Sequence, residues 1–155
     1  MKYVDTKIVM QEIPDEVTLA INISNCPCHC KGCHSSYLAE DVGTNLTFEE
    51  LLQLCSKNTG ITCVSFMGGD SEPSYINKLA EVLKEGELSI RTAWYSGRDT
   101  ISNEINLENF DYIKVGRYDE FLGPLNSRTT NQRLYKVIDG RLFDITNGFW
   151  NEDWN

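Results

Sequence analysis

Four of the chain's six cysteines fall within eight residues, Cys26-Pro27-Cys28-His29-Cys30-Lys31-Gly32-Cys33. Thiols this close together enclose almost no chain, so a disulfide framework would gain little from them. In a cytoplasmic protein such a cluster reads as metal-binding or catalytic. Cys26, Cys30 and Cys33 are spaced C-x3-C-x2-C. A loop of that size can wrap one corner of a cubane iron–sulfur cluster, each thiolate taking one iron. Three thiolates on four irons leave one iron for a ligand that is not protein, and that ligand can exchange electrons with the cluster directly. Structural zinc is the alternative, with Cys28, His29 or His34 completing a site around Cys30 and Cys33. Zinc commonly uses two C-x2-C knuckles, however, and only one is present. A thioredoxin-like pair at Cys30 and Cys33 leaves Cys26 and Cys28 idle. Cys55 and Cys63 stand apart and read as small buried apolar residues.

The surrounding chain bounds what this loop can serve. With 155 residues it is expected to form one domain, residues 1–155, large enough to fold without a metal. Fourteen Lys and Arg against 23 Asp and Glu give a net charge of −9, which argues against nucleic acid as a partner. No apolar run approaches the roughly 20 residues that cross a bilayer. Asp5 and Lys7 interrupt the start where a signal peptide needs an apolar core. The expectation is a soluble, cytoplasmic protein with no membrane partner.

Elements that could position the loop are readable from hydrophobic pattern. Val17–Ser24 is a buried strand ending just before the cysteines. A helix from Phe48 to about Lys57 has a capping box at Thr47 and Glu50 and a staple of Leu46 on Leu51; Phe48, Leu51, Leu52 and Cys55 are expected on its buried face. Ile61–Met67 is a second buried strand and runs into Gly68-Gly69-Asp70. Ser74–Glu85 is a helix with Ile76, Leu79, Ala80 and Leu83 on one face, stopped by Gly86. Leu88–Tyr95 is a third strand, before Ser96-Gly97. A weaker helix over Asp99–Glu108 precedes a short strand, Asp111–Val115, and then Gly116. This alternation predicts an α/β fold with a parallel sheet. Arg133–Ile138 and Arg141–Thr146 flank Asp139-Gly140, a strong hairpin signal. The segment from 147 to 155, with Phe149, Trp150 and Trp154 among acids and amides, is either a docked tail or a partner-binding segment. The cysteine loop, Gly68-Gly69-Asp70, Ser96-Gly97 and Gly116 each follow an expected strand, so all four converge on one rim, where such sheets bind ligands.

Over most of its length the chain resembles the activating subunits of anaerobic ribonucleotide reductases, small radical S-adenosylmethionine enzymes of the glycyl-radical activase group. The resemblance rests on the cysteine loop with Gly32 before its last cysteine, on Met67-Gly68-Gly69-Asp70, and on Trp94-Tyr95-Ser96-Gly97. It continues through Asp111-Tyr112-Ile113-Lys114-Val115-Gly116-Arg117-Tyr118 and Ser127-Arg128-Thr129-Thr130-Asn131-Gln132-Arg133. It implies a shortened, open (β/α) partial barrel of about six strands, completed by the C-terminal β-hairpin. It further implies a 4Fe-4S cluster on Cys26, Cys30 and Cys33, with S-adenosylmethionine bound by Gly32, Cys33, His34, Gly68, Gly69, Asp70, Ser96, Gly97 and Asn131. Asp70 would lie near the methionine amine. The implied partners are the large catalytic reductase subunit and a flavodoxin- or ferredoxin-type electron donor. His34 stands where these activases often carry Tyr, and Cys28 is a thiol beyond the usual pattern. Two other readings are a radical enzyme acting on a small molecule and a non-catalytic zinc-binding regulatory module.

Overall fold

A computed structural model describes residues 1–33 and 35–150. The fold is mixed α/β, one eight-stranded sheet with two α-helices. The strands are β1 (Lys2–Val9), β2 (Thr18–Ile23), β3 (Thr44–Asn45), β4 (Cys63–Met67), β5 (Arg91–Tyr95), β6 (Tyr112–Val115), β7 (Arg133–Ile138) and β8 (Arg141–Asp144). Their order across the sheet is β3-β1-β2-β4-β5-β6-β7-β8. The strands β2, β4, β5 and β6 are parallel neighbours in sequence order, while β1, β3, β7 and β8 pair antiparallel at the two sides. With no reversal of order there is no switch-point crevice, and the carboxyl ends of the parallel strands form one continuous rim.

The helices are α1 (Phe48–Lys57) and α2 (Pro73–Glu85). Thr47 caps α1 by accepting the Glu50 N–H at 3.0 Å, an arrangement worth about 1 kcal/mol. The return half of the capping box is not used, because the Glu50 carboxylate instead accepts the Tyr3 hydroxyl at 2.5 Å. Leu46 and Leu51 are buried in one cluster, as a staple requires. The buried face of α1 is Leu51, Leu54 and Cys55, not the expected set: Phe48 and Leu52 are exposed, and Phe48 stacks on Tyr75 at 5.8 Å. In α2 the buried residues are Ile76, Leu79, Ala80 and Leu83, as the periodicity predicts.

Two elements were not anticipated and one expected element is missing. The strands β1 and β3 add to the expected six. β1 carries a run of three polar residues, Asp5-Thr6-Lys7, between its apolar pairs and has no buried residue, so it shows no hydrophobic alternation. Between Asp99 and Glu108 there is no α-helix, only the 3-10 turn Leu107–Asn109. Ser102 Oγ takes the Glu104 N–H, Asn77 Oδ1 takes the Asn106 N–H, and Asn106 Oδ1 takes the Glu108 N–H. These side chains satisfy the donors a helix would have used, while Ile101, Ile105 and Leu107 still pack on the core. Asp139 and Gly140 both have left-handed φ, 50° and 73°, which makes the β7–β8 connection the primed turn that matches strand twist.

The sheet's two faces differ. Leu19, Ile21, Val64, Phe66, Trp94 and Ile113 pack with the helices in the larger cluster. Ala93, Tyr95, Tyr112 and Leu134 point to the other face, which holds a smaller cluster with Ile13 and Leu125 and has Phe149 packed against it. Among the described residues no helix is long and apolar enough to cross a membrane.

Candidate metal and cofactor site

The cysteine loop leaves the carboxyl end of β2 and is pinned where it starts and returns. Asn25 N–H donates to Glu40 O at 3.0 Å and Cys26 N–H to Leu38 O at 2.9 Å, so the 3-10 turn Ser36–Ala39 holds the loop's base. Asn25, His29 and Gly32 adopt left-handed φ of 60°, 47° and 75°, folding eight residues into a compact turn closed by Cys33 N–H on Cys30 O at 3.2 Å. Cys26, Cys30 and Cys33 line a single cavity of about 290 Å³ together with His29, Ser35, Ser36 and Ala39. Ser35 N–H donates to Cys33 Sγ at 3.4 Å, the kind of contact that stabilises a thiolate ligand and tunes its metal.

Cys28 does not line that cavity. Its Sγ lies 3.8 Å from Asp70 Oδ2 and fills the space over Gly97, where an added Cβ would come within 2.9 Å of it. Burial first, and then the Asp70 and Cys26 charges, push its thiol up to about 12. Cys55 and Cys63 are buried at 5% and 0% exposure, as expected of structural cysteines. Among the described residues no three His, Cys, Asp or Glu side chains converge as a single-ion site. His34 lies outside the described residues.

The other rim loops meet here. Asp70 is buried and its carboxylate braces the loop after β5: Ser96 Oγ donates to Oδ1 at 2.5 Å and Gly97 N–H to Oδ2 at 2.8 Å. Gly68 accepts Trp94 Nε1 on its carbonyl at 2.7 Å. Gly69, at φ 90°, lies so close to Ile76 that a Cβ would sit 2.5 Å from Cδ1; the close approach that requires glycine here is to α2. Asn131 lies beside Gly116, with its Nδ2 donating to Arg117 O at 3.0 Å. Its Oδ1 is buried without a hydrogen-bond partner among the described residues. Gly32 faces Glu120, which pairs with Lys31 at 3.5 Å.

One residue at this rim was overlooked in the sequence. Lys114 is 9% exposed and donates from Nζ to Ser96 O at 3.1 Å and Gly116 O at 2.8 Å. Burial lowers its pKa, while Asp70, Cys30, Cys28 and Cys33 pull it back up. The available signal was a lone Lys inside the apolar run Tyr112-Ile113-Lys114-Val115, where an alternating strand turns it toward the face with the smaller core. There it lines a cavity of about 400 Å³ with Glu12, Cys33, Tyr95, Gln132 and Phe149. Burial raises the Glu12 pKa and Lys114 opposes the rise. This cavity and the cysteine cavity share Cys33 and Ser35.

Phe149 enters that wall from the 3-10 turn Thr146–Trp150, and Trp150 Nε1 donates to Leu125 O at 3.1 Å. The start of the C-terminal segment is therefore docked; residues 151–155 lie outside the described residues. The donor set suits a thiophilic cluster: three thiols bordering one space, an N–H on one sulfur, and a buried cation nearby to offset thiolate charge. No family model, no curated protein and no solved structure matches this chain.

Proposed function

We propose that the chain is a radical S-adenosylmethionine activase that installs a glycyl radical on anaerobic ribonucleotide reductase. On this reading Cys26, Cys30 and Cys33 hold a 4Fe-4S cluster whose open iron takes S-adenosylmethionine. The fold is then a shortened, open (β/α) partial barrel. Helices on one face of sequentially ordered parallel strands, with a ligand-sized space on the other, are consistent with it. The observation that carries the proposal is the sorting of the four clustered thiols: Cys26, Cys30 and Cys33 border one cavity, and Cys28, though beside Cys26, does not line it and packs over Gly97.

A cluster held by Cys26, Cys30 and Cys33 would supply the one-electron chemistry that cleaves S-adenosylmethionine reductively and so allows hydrogen-atom abstraction from the target glycine. The chain's own part is to bind, orient and exclude water. Lys114 presents a desolvated positive charge to the cavity adjoining Cys33, where the methionine carboxylate would seat. Asp70, Ser96 and Gly97 fix the rim beneath the cysteine loop, and Asn131 holds the Arg117 carbonyl beside it. Tyr95, whose hydroxyl donates to Glu12 O, and Phe149 line the cavity with aromatic surface. No general base is needed, because the abstracting agent is the radical itself. A large reductase subunit would supply the glycine, and a flavodoxin- or ferredoxin-type donor the electron.

Anaerobic reconstitution tests this. The expected result is about four irons per chain, as the cubane requires, and an electron paramagnetic resonance spectrum that changes when S-adenosylmethionine is added. Tight zinc with no iron spectrum, or a spectrum indifferent to S-adenosylmethionine, would overturn it.

A further inference from the structure

Resting on that reading, we infer that Gln132 binds the main chain of the target glycine segment in the Lys114 cavity, its side-chain amide pairing with a peptide group beside the target α carbon while the Glu12 carboxylate takes a neighbouring N–H. Gln132 is 6% exposed and lines that cavity. Among the described residues its side-chain amide has no hydrogen-bond partner, yet neither amide atom is sealed off as Asn131 Oδ1 is. A buried amide left in that state costs free energy until a ligand completes it. The backbone beneath it is fixed. Gln132 N–H donates to Thr130 Oγ1 at 3.0 Å, and the Thr130 hydroxyl donates to Gly123 O at 3.1 Å. Gly116 packs so closely that a Cβ there would lie 2.9 Å from Gln132 Cα. The amide is thus placed before a ligand arrives, which lowers the ordering cost of binding. Glu12 lines the same cavity, and its carboxylate makes no hydrogen bond or ion pair among the described residues beyond a longer-range attraction to Lys114.

The chemistry of these two groups selects the occupant. Glycine has no side chain, so a site that binds it must grip the peptide groups on either side. Each peptide group presents one N–H donor and one C=O acceptor, and a primary amide offers the matching acceptor and donors in one plane. A carboxylate adds a second, charge-assisted acceptor for main-chain N–H. Lys114 is left for the cofactor's carboxylate, and the uncharged amide for the peptide. The cavity also suits a segment that arrives from another protein. Exposed residues Gln11, Pro124 and Asn126 line it, so it opens to the surface, while Cys33 on its wall borders the cysteine cavity as well. A chain entering from the open side therefore reaches the side where the cofactor would lie.

The test uses the full, anaerobically reconstituted chain with the large reductase subunit and with S-adenosylmethionine. It compares wild type with Gln132→Leu and Gln132→Met, which fill the same space without the amide. Affinity for the subunit should fall about tenfold in both, as the loss of two neutral hydrogen bonds predicts, while affinity for S-adenosylmethionine holds within about twofold. Both variants should melt at or above the wild-type urea midpoint, because an amide with no internal partner gives way to an apolar group. Variants that bind the subunit like wild type would overturn the inference. So would an affinity for S-adenosylmethionine that falls in step with that for the subunit, since the amide would then read the cofactor, whose adenine is the other group it can pair with. Lower urea midpoints in both variants would make the amide a brace of the fold and sink the inference as well. A wild type that cleaves S-adenosylmethionine without binding the reductase overturns the inference and leaves the radical chemistry standing. A wild type that gives no cleavage removes the functional reading and the named occupant together.

Discussion

Glu16 at the amino end of the parallel strands and Lys114 at their carboxyl end, where Asp70 is buried too, are held in opposite ways. At the amino end, Glu16 is 4% exposed and completely served: Arg91 Nη1 lies 2.8 Å from Oε1, Tyr112 OH donates at 3.0 Å and Thr62 Oγ1 at 2.5 Å. At the carboxyl end, Lys114 is comparably buried but rests on two neutral carbonyls, and among the described residues no ion pair reaches it. Tyr112 and Lys114 lie two residues apart on the same side of β6, so a single strand carries both arrangements. The amino end has spent its polar groups on one another, which is what a structural brace requires. The carboxyl end keeps a buried cation with no ion pair among the described residues, lining a cavity with Cys33, which is what the proposed seat for a ligand carboxylate would require.

That contrast predicts opposite phenotypes. Glu16→Ala should lower unfolding free energy by about 2 kcal/mol, because it takes the acceptor from the buried Tyr112 hydroxyl and unpairs Arg91, whose own exposure limits the loss. The surviving folded protein should bind iron and S-adenosylmethionine normally. Lys114→Met should leave stability within about 1 kcal/mol of wild type, the relief of a desolvated charge offsetting two lost donors. Its affinity for S-adenosylmethionine should fall about tenfold, equivalent to 1.4 kcal/mol. Urea melts and calorimetric titration of the reconstituted protein measure the two effects. A Lys114→Met variant that unfolds while binding its ligand normally would reverse the assignment of the two ends.

The contrast was only half legible in the sequence. Runs such as Val64–Phe66 and Leu19–Ile23, and the spacing of Ile76, Leu79, Ala80 and Leu83, announced the parallel strands and α2 because burial dominates there. The cysteine loop was legible because thiol spacing is itself chemical. Lys114 was not, because a lone Lys in a short strand carries no periodic signal, and its burial comes from loops that join late in the chain. Glu16 was hidden for the same reason: Thr62, Arg91 and Tyr112 are brought to it by sheet register, not by sequence proximity. The absent helix over Asp99–Glu108 failed on local competition, since Ser102, Asn106 and the distant Asn77 bond the backbone first.

Alkaline titration sharpens the comparison at a smaller scale. Cys63 lies at the amino end, and burial followed by the Glu16 charge pushes its thiol well above the ordinary range. The native state then keeps its proton while the unfolded chain releases it from about pH 8.5 upward. The raised native pKa contributes stability that is complete below that point and is lost as pH rises, by at most about 1.4 kcal/mol per pH unit for one proton. Between pH 8.5 and 9.5 wild type should lose about 1 kcal/mol more stability than Cys63→Ala, whose slope should be flatter. Equal slopes would mean that the amino-end thiol is not held protonated by the fold.

The smallest effect separates the fourth clustered thiol from the other three. If Cys28 serves the rim by packing, Cys28→Ala should keep its iron and cost about 1 kcal/mol, the loss of one partly buried sulfur. Gly97→Ala should cost about the same or more, because its Cβ would lie 2.9 Å from Cys28 Sγ and the loop must shift to admit it. Removing the sulfur clears that space, so the double variant should be more stable than the two single costs predict, with a coupling of about 1 kcal/mol. A thiol that ligates metal gives a different result: Cys28→Ala would lose iron, and Gly97→Ala could not be rescued by it. Packing and ligation are therefore distinguished by the sign of one double-mutant cycle read alongside the iron content, with no activity assay.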